Sequence, residues 1–285
     1  MKKFLNLGCG YRYHPEWTNV DFIATGPGVT AHDLRKGIPF NDATFDCVYH
    51  SHVLEHFSKK DGEKFIAECF RVLGTNGVIR IAVPDLEQII QIYSDRLKKA
   101  AEGKQGAVDD LEWIRIELID QMVRRKSGGE MQEYLQRDRM ENEAFVFDRI
   151  GEEGRMLREK MKNNTASSPV NKAKEKKKQK KIHYLFNYKT YVNAIKRRMF
   201  KKELQRFEAE QKYAELGKFV DSGELHLWMY DFYSLEKLLL KIGFSDVKRR
   251  TASESSIPGW SNFKLDSDGS IVFKPDSLFV EATKR

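Results

Sequence analysis

The sequence predicts an α/β protein in which a mostly parallel sheet is interrupted by an inserted helical subdomain. Over residues 3–83, short apolar runs typical of buried strands alternate with turns or helices, which favours a parallel sheet with crossover connections. Long helical periodicity then replaces this pattern, and strand-like runs return near the C-terminus. We therefore expect a sheet domain made of residues 1–90 and 225–285, with a helical insertion over 91–224.

The first strands of the sheet are predicted from short apolar runs in the N-terminal part of the chain. A helix over 58–73 is expected between the last two of these runs. The predicted strands cover residues 3–7, 18–22, 29–33, 45–50 and 77–83.

The inserted region begins where Pro84 ends the last of these strands. Asp85 can cap the following helix, with Gln88 in the reciprocal position of a capping box. Residues 163–181 are polar and rich in lysine, so they bury too little apolar surface to offset their ordering entropy, and we expect them to be mobile. Helices are predicted over 86–97, 111–123, about 130–162 and about 188–216.

The sheet is expected to resume after the insertion. Residues 231–250 indicate an amphipathic helix that is stopped by Gly243 and followed by a strand. Residues 269–284 contain two short strand-like runs on either side of Pro275. These elements complete the predicted sheet domain.

The positive charge of the chain is concentrated in one segment. The net charge is +8, yet residues 155–206 alone carry +15, which leaves −7 for the rest of the chain. Cations there mix with tyrosines and phenylalanine, a combination that can bind phosphate backbones or anionic membrane surfaces. A solvated linker is the simplest interpretation, and binding of nucleic acid or an anionic membrane through 172–206 stays open.

Several protein classes are disfavoured by composition. No window approaches the roughly 18 apolar residues of a membrane-spanning helix, and a strand pattern begins directly after Lys2 and Lys3, so no signal peptide is expected. Cys9, Cys47 and Cys69 are odd in number and lack metal-ligand spacing, which indicates buried thiols. A cytoplasmic setting is the default expectation.

Chemistry-bearing residues occur at the ends of the first three predicted strands. The first strand enters the turn Gly8-Cys9-Gly10, where glycines allow close approach of a ligand to the backbone. Asp21 ends the second strand and can accept hydrogen bonds from both hydroxyls of a ribose. Asp33 ends the third and can accept a hydrogen bond from an adenine amine. This coincidence predicts a nucleoside-containing cofactor at the carboxyl edge of the sheet.

These motifs resemble those of the class I S-adenosylmethionine-dependent methyltransferases, especially the branch of ubiquinone-biosynthesis-type enzymes. The resemblance is close over residues 3–90 and looser over 226–244, "HLWMYDFYSLEKLLLKIGF". It implies a Rossmann-like, seven-stranded sheet, methyltransferase activity and S-adenosyl-L-methionine as cofactor. The close part rests on "FLNLGCG", "NVDF", "AHDLRKGIPFNDATFDCVYHSHVLEHF" and "FRVLGTNGVIRIAVPD".

The resemblance also implies roles in cofactor binding. The glycine turn would wrap the methionine part, and the two strand-end aspartates would bind the ribose and the adenine amine. Leu34 would offer its backbone N–H to the adenine ring, and His50 and Ser51 would lie beside the sulfonium. Asn6 stands where many members have an acid that orients the amino-acid end, and Arg12 stands where a third glycine occurs.

Histidines are the candidates for a catalytic base. Methyl transfer from a sulfonium is an in-line displacement, and a hydroxyl acceptor needs a group that takes its proton. We expect His52 or His226 to fill this role. In "HSHVLEH", His52 and His56 are four residues apart, but the order differs from the H-E-x-x-H zinc motif. No metal is therefore expected. Glu55 and His56 are predicted to form local hydrogen bonds at the start of a helix.

The acceptor is expected to be a sugar or another small metabolite, methylated on oxygen. The Asn/Asp-Pro-Pro-aromatic motif of amino-group methyltransferases and the nucleophilic Cys of RNA cytosine-5 enzymes are both absent after the fourth strand. The short connection after the glycine turn would leave aromatic and imidazole side chains near the pocket rim as substrate contacts. These are Tyr11, Tyr13, His14 and Trp17.

Two alternatives from other classes stay open. One is a cofactor-binding regulatory or RNA-associated protein that uses the basic insertion. The other, less favoured, is an NAD-dependent oxidoreductase. Its fingerprint needs a third glycine where this chain has Tyr13, and an acid later in the sequence than Asp21.

Overall fold

A seven-stranded sheet forms the centre of the computed structural model, which describes residues 2–167, 201–220 and 222–285. The strand order is β3-β2-β1-β4-β5-β9-β6, with β1 to β5 paired in parallel and β9 antiparallel to both neighbours. This confirms the predicted Rossmann-like α/β class. The strands are β1 (Phe4–Leu7), β2 (Trp17–Asp21), β3 (Val29–Ala31), β4 (Phe45–Ser51), β5 (Leu73–Pro84), β6 (Phe244–Arg250), β7 (Ser267–Asp268), β8 (Ile271–Val272) and β9 (Ser277–Lys284).

The helices occupy the connections of this sheet. Two short 3-10 turns, Leu34–Lys36 and Leu54–His56, follow β3 and β4. The helices are α1 (Lys59–Val72), α2 (Leu86–Ala101), α3 (Ala107–Val123), α4 (Gly129–Leu135), α5 (Glu143–Ser167), α6 (Lys201–Val220), α7 (Phe232–Ile242) and α8 (Trp260–Phe263). No helix among the described residues is long and apolar enough to cross a membrane.

One face of the sheet is covered by α1 and α7. Ser58 caps helix α1, because its hydroxyl accepts the N–H of Asp61. The helix buries Phe65, Ile66 and Cys69 along one stripe. Helix α7 contributes Leu235 and Leu239 in the same way. Together with the inward side chains of the central strands, these residues form the main hydrophobic core.

The opposite face, near β1, β2 and β4, is covered by the segment between β6 and β9. The connection from β1 to β2 contains no helix. Instead, Trp260 and Phe263 reach back from near the C-terminus to pack on Trp17 and Tyr49, with ring centroids 5.1 to 6.1 Å apart. Arg80 lies beneath them, fully buried and ion-paired with two carboxylates. A distant part of the chain therefore fills the place that a longer first crossover would occupy.

Helices α2 to α6 stand where the insertion was predicted, and the subdomain boundaries themselves stay a prediction. Helix α5 is kinked at Gly151, where an added Cβ would lie 2.5 Å from the carbonyl oxygen of Phe273. Arg149 pairs with the buried carboxylate of Glu117. These contacts hold the inserted helices against one another and against the segment that precedes β9.

Several sequence predictions change in detail. Asp85 caps α2 as predicted, its carboxylate accepting the N–H of Gln88 at 3.2 Å. The predicted hydrogen bond from the N–H of Asp85 to the side chain of Gln88 is absent, so that part of the prediction is wrong. The side-chain oxygen of Gln88 accepts from Arg149, and the N–H of Asp85 donates to the carbonyl of Asp276. Residues 168–181 of the predicted mobile segment, and the part of the basic segment over 172–200, lie outside the described residues.

Candidate active site

A cavity of about 960 Å³ lies at the carboxyl ends of β1 and β4. The glycine turn with Asn6 and Arg12 forms one wall, and Ser51 and His52 form the floor. Residues of the inserted helices and of the segment before β9 complete the lining. The cavity is therefore bounded both by the sheet domain and by the predicted insertion.

The glycine turn needs both of its glycines. Gly8 has a φ of 64°, and an added Cβ would lie 2.3 Å from a methyl of Val53. Gly10 has a φ of 54°, and nothing lies within 4 Å of its added Cβ. The backbone N–H groups of Gly8 and Cys9 donate to the carbonyl of Val20 at 2.8 and 3.2 Å. The turn is thus held tightly from below and leaves open space above Gly10.

Neither of the two strand-end aspartates is among the residues that line the cavity. Asp21 accepts the N–H of Gly10 at 2.7 Å, so it fixes the turn directly. Asp33 caps the 3-10 turn that contains Leu34, and its side chain pairs with Arg35 at 2.9 Å. That hydrogen bond with the guanidinium lowers the pKa of Asp33. Their predicted roles toward ribose and adenine stay predictions.

Asn6 has a structural task that the sequence did not reveal. Its side chain is buried, and its amide nitrogen donates to the carbonyl of Arg12 and to the side-chain oxygen of Asn19, both at 3.2 Å. Asn6 therefore ties the glycine turn to β2 while lining the cavity. An amide can do this without placing a charge under the loop.

His50 and Ser51 point to opposite faces of β4. The ring of His50 is fully buried on the α1 side, 5.1 Å from the ring of Phe65, and neither ring nitrogen has a hydrogen-bond partner among the described residues. Burial lowers its pKa to about 3. Ser51 faces the cavity. Since successive side chains of a strand alternate, only the backbone of His50 can lie near the cofactor, and the strand period was the signal that could have shown this.

His52 is the histidine that the fold brings to the cavity. It has a φ of 54°, and one ring nitrogen, Nε2, lies 2.7 Å from the hydroxyl of Ser277 while Nδ1 lies 3.3 Å from the carboxylate of Glu55. Burial lowers the pKa of His52 well below its usual value, and burial raises that of Glu55 to about 8. The imidazole is therefore neutral near pH 7, and Ser277 holds it at Nε2.

His226 lies behind His52 and does not line the cavity. Its ring is 5.0 Å from that of His56, whose Nδ1 contacts the carbonyl of Leu225 at 3.0 Å. Burial lowers the pKa of His226 to about 3. Among the described residues, the donor atoms of Glu55, His56 and His226 lie within 4.8 Å of one another, which is the spacing that a metal ion would need. The expectation of no metal stays a prediction.

Two cavity residues near the C-terminus escaped sequence analysis. Asp276 lines the cavity, its Oδ1 atom is buried without a hydrogen-bond partner among the described residues, and burial raises its pKa to about 7. Lys274 lies nearby and faces Glu153 of α5 at 3.6 Å. Their separation from the glycine turn in sequence gave no local signal of this proximity.

The predicted rim is only partly formed. Tyr11 lines the cavity and is 85% exposed, as expected for a substrate contact. Trp17 is instead buried, with its ring stacked 4.9 Å from that of Phe4, so placing it at the rim was wrong. The reason is that β2 begins at Trp17, and its inward side chain belongs to the core under Trp260.

A protein-family model matches part of the chain. Residues 20–81 match the family model described as a methyltransferase domain. This stretch contains the end of β2, all of β3, β4 and α1, and most of β5. No curated protein matches the chain.

Solved structures provide more distant similarities. The chain is 10% identical to a possible histamine N-methyltransferase from Thermotoga maritima, with a TM-score of 0.38, covering 100% of this chain and 83% of that one. A methyltransferase from Archaeoglobus fulgidus is 13% identical, with a TM-score of 0.37 and coverages of 99% and 86%. A phosphoethanolamine N-methyltransferase from Haemonchus contortus is 16% identical, with a TM-score of 0.26 and coverages of 31% and 23%. The match to the cyclase SpnF likewise spans only 38% of that protein's length.

Proposed function

We propose that the protein transfers a methyl group from S-adenosyl-L-methionine to an oxygen of a sugar or another small metabolite. The general class, an S-adenosylmethionine-dependent methyltransferase, is the one to which the family match and the strand order point. The observation that carries the finer proposal is the continuous cavity that joins the glycine turn to His52 and Asp276.

The residues present fit the cofactor. The open space above Gly10 can receive the methionine part, and a side chain at that position would fill it. Asp21 holds the turn and presents a carboxylate at the end of β2. When bound, S-adenosyl-L-methionine supplies a methyl group on a sulfonium, and the protein's contribution is to place it against the acceptor.

The rest of the cavity suits a hydroxyl-bearing acceptor. Gln121, Gln132 and Asp276 put amide and carboxyl groups on its walls, and these groups can exchange hydrogen bonds with sugar hydroxyls. The apolar side chains of Met131 and Leu157 add surface on which a ring face can pack. Among the described residues, Oδ1 of Asp276 is buried and has no hydrogen-bond partner. A hydroxyl of the molecule to be methylated can therefore donate a hydrogen bond to it.

His52 is the proposed base for the acceptor hydroxyl. It lines the cavity, Ser277 fixes the orientation of its ring through Nε2, and Glu55 lies 3.3 Å from Nδ1. A neutral imidazole can take the proton that the hydroxyl loses during methyl transfer. His226 stays the second candidate and lies one layer further from the cavity, beside His56.

The proposal is tested first by cofactor binding and then by turnover. In calorimetry, S-adenosyl-L-methionine should bind and NAD should not, since the turn lacks a dinucleotide fingerprint. Absence of S-adenosyl-L-methionine binding at millimolar concentration would contradict the proposed class. Fractionated sugar and metabolite pools should then support formation of S-adenosylhomocysteine, and its absence with every hydroxyl-containing pool would contradict the acceptor class.

The same assay examines the base. His52→Gln should lower the rate of S-adenosylhomocysteine formation by roughly 10²- to 10⁴-fold, the usual contribution of a positioned base, with little change in cofactor affinity. His226→Gln is the matched control, because His226 is a buried neighbouring imidazole that does not line the cavity. A large loss for the control and none for His52→Gln would move the base to His226.

A further inference from the structure

We propose that Arg12 binds the carboxylate of the methionine end of the cofactor, with the ring of Phe273 as its platform. The inference rests on the proposed function. In the sequence, Arg12 stands out only as a departure from the glycine pattern of the family that the chain resembles. The structure makes it a charged group built into the loop.

The backbone of Arg12 is fixed on both sides. Its N–H donates to the carbonyl of Cys9 at 2.9 Å, which closes the glycine turn. Its carbonyl accepts from the buried amide of Asn6 at 3.2 Å. Because both backbone groups are held and Arg12 lines the cavity, the side chain starts from a defined position beside Gly10.

The guanidinium lies over an aromatic ring. Its central carbon lies 3.4 Å from the ring centroid of Phe273, which is a close cation–π stack. This stack covers one face of the guanidinium and leaves its N–H edges available. Phe273 is itself held by its N–H, which donates to the carbonyl of Asp266 at 3.0 Å. The side chain is therefore oriented by packing before any ligand binds.

Arg12 has no acidic partner among the described residues. No carboxylate lies within ion-pair distance of its guanidinium in this part of the chain, and its Nε is buried without a hydrogen-bond partner. Two other cations on the cavity wall do have an acidic partner: Lys274 faces Glu153 at 3.6 Å, and Arg124 faces Glu224 at 3.9 Å. A partly buried guanidinium whose Nε has no hydrogen-bond partner is costly, so the site favours an anion.

The cofactor brings an anion of the right kind. The end of S-adenosyl-L-methionine that the glycine turn would wrap carries a carboxylate, and a guanidinium pairs with a carboxylate through two parallel hydrogen bonds. Asn6 cannot provide this, because its amide hydrogens are already donated to Arg12 and Asn19. Arg12 is thus the group in the turn that can neutralise the carboxylate.

The test compares two ligands that differ at this end. S-adenosylhomocysteine carries the amino-acid group, and methylthioadenosine lacks it while keeping the adenosine. Arg12→Met should weaken S-adenosylhomocysteine binding at least tenfold in calorimetry and change methylthioadenosine binding less than twofold. Arg12→Lys should recover part of the loss, and Phe273→Ala should reproduce part of it.

The control is Lys274→Met, which removes another cation from the same cavity and should leave both affinities nearly unchanged. Equal weakening of both ligands by Arg12→Met and Arg12→Lys, or no weakening of either, would overturn the inference. Failure of the wild-type protein to bind S-adenosylhomocysteine would instead count against the proposed function itself. Thermal melting of each variant identifies any that fails to fold, and Arg12→Lys then carries the comparison.

Discussion

At the scale of single residues, His50 shows how strand geometry separates two adjacent side chains. His50 and Ser51 are neighbours in sequence, yet one is enclosed in the core and the other faces the cavity. An imidazole without a hydrogen-bond partner in an apolar core is stable only when neutral. The consequence is a dependence of stability on pH that does not involve cofactor binding.

We predict that His50 makes the protein sensitive to acid. Its pKa is about 3 in the folded state and near 6.5 in the unfolded state, so the unfolded state binds the extra proton between these values. This group's contribution to stability is complete above pH 6.5 and declines as the pH falls, by up to about 1.4 kcal/mol per pH unit.

Urea unfolding at pH 7.5 and pH 5.5 measures this effect. His50→Leu should lose clearly less free energy of unfolding than the wild type over that interval, by roughly 1 kcal/mol. Affinity for S-adenosylhomocysteine should change little, because the side chain of His50 faces away from the cavity. Parallel pH profiles for the two proteins would show that His50 does not titrate as described.

At the scale of elements, the start of α2 joins the sheet to the inserted helices. Asp85 is the last position before the helix, and its carboxylate accepts the N–H of Gln88. Its own N–H donates to the carbonyl of Asp276, next to the cavity. The cap therefore fixes where the insertion leaves the sheet, which is a structural role for this strand-end acid.

Replacing the cap should cost stability and spare the cofactor. Asp85→Ala removes the side-chain acceptor and should lower the free energy of unfolding by about 1 kcal/mol. Asp85→Asn keeps an acceptor and should lose much less. Urea unfolding provides the stability, and calorimetry with S-adenosylhomocysteine should give nearly equal affinities. A strong loss of affinity with Asp85→Asn would assign Asp85 to ligand binding instead.

At the scale of the whole molecule, the segment between β6 and β9 completes the sheet domain. Trp260 packs on Trp17 and Tyr49, lies over the guanidinium of Arg80, and donates its indole N–H to the carbonyl of Ala252. The same segment supplies Phe273 to the cavity. One stretch of chain thus covers the sheet and also supplies residues to the candidate site.

Loss of this cover should destabilise the protein strongly. Trp260 is 5% exposed, and Trp260→Ala should lower the free energy of unfolding by about 3–5 kcal/mol, as expected for a deleted core aromatic. The matched control is Tyr233→Ala, since Tyr233 is 69% exposed and should cost far less. Similar losses for the two variants in urea unfolding would mean that the segment does not cover the sheet.

The sequence alone was sufficient for the fold class and for the glycine turn at the end of the first strand. Strand-like runs, the glycine turn and Asp21 are local features, because periodicity and glycine conformation act over a few residues. They predicted the parallel strands, the glycine turn and the cap at Asp85.

Only the tertiary structure decided which side chains meet. It put His52 against Ser277, Arg12 on Phe273 and Trp17 under Trp260, pairs in which each partner is more than 200 positions from the other. Contacts of this kind depend on the packing of segments that cross the sheet, and no local pattern in the chain records them. The missing helix after the glycine turn is the clearest case, because its space is filled from the other end of the molecule.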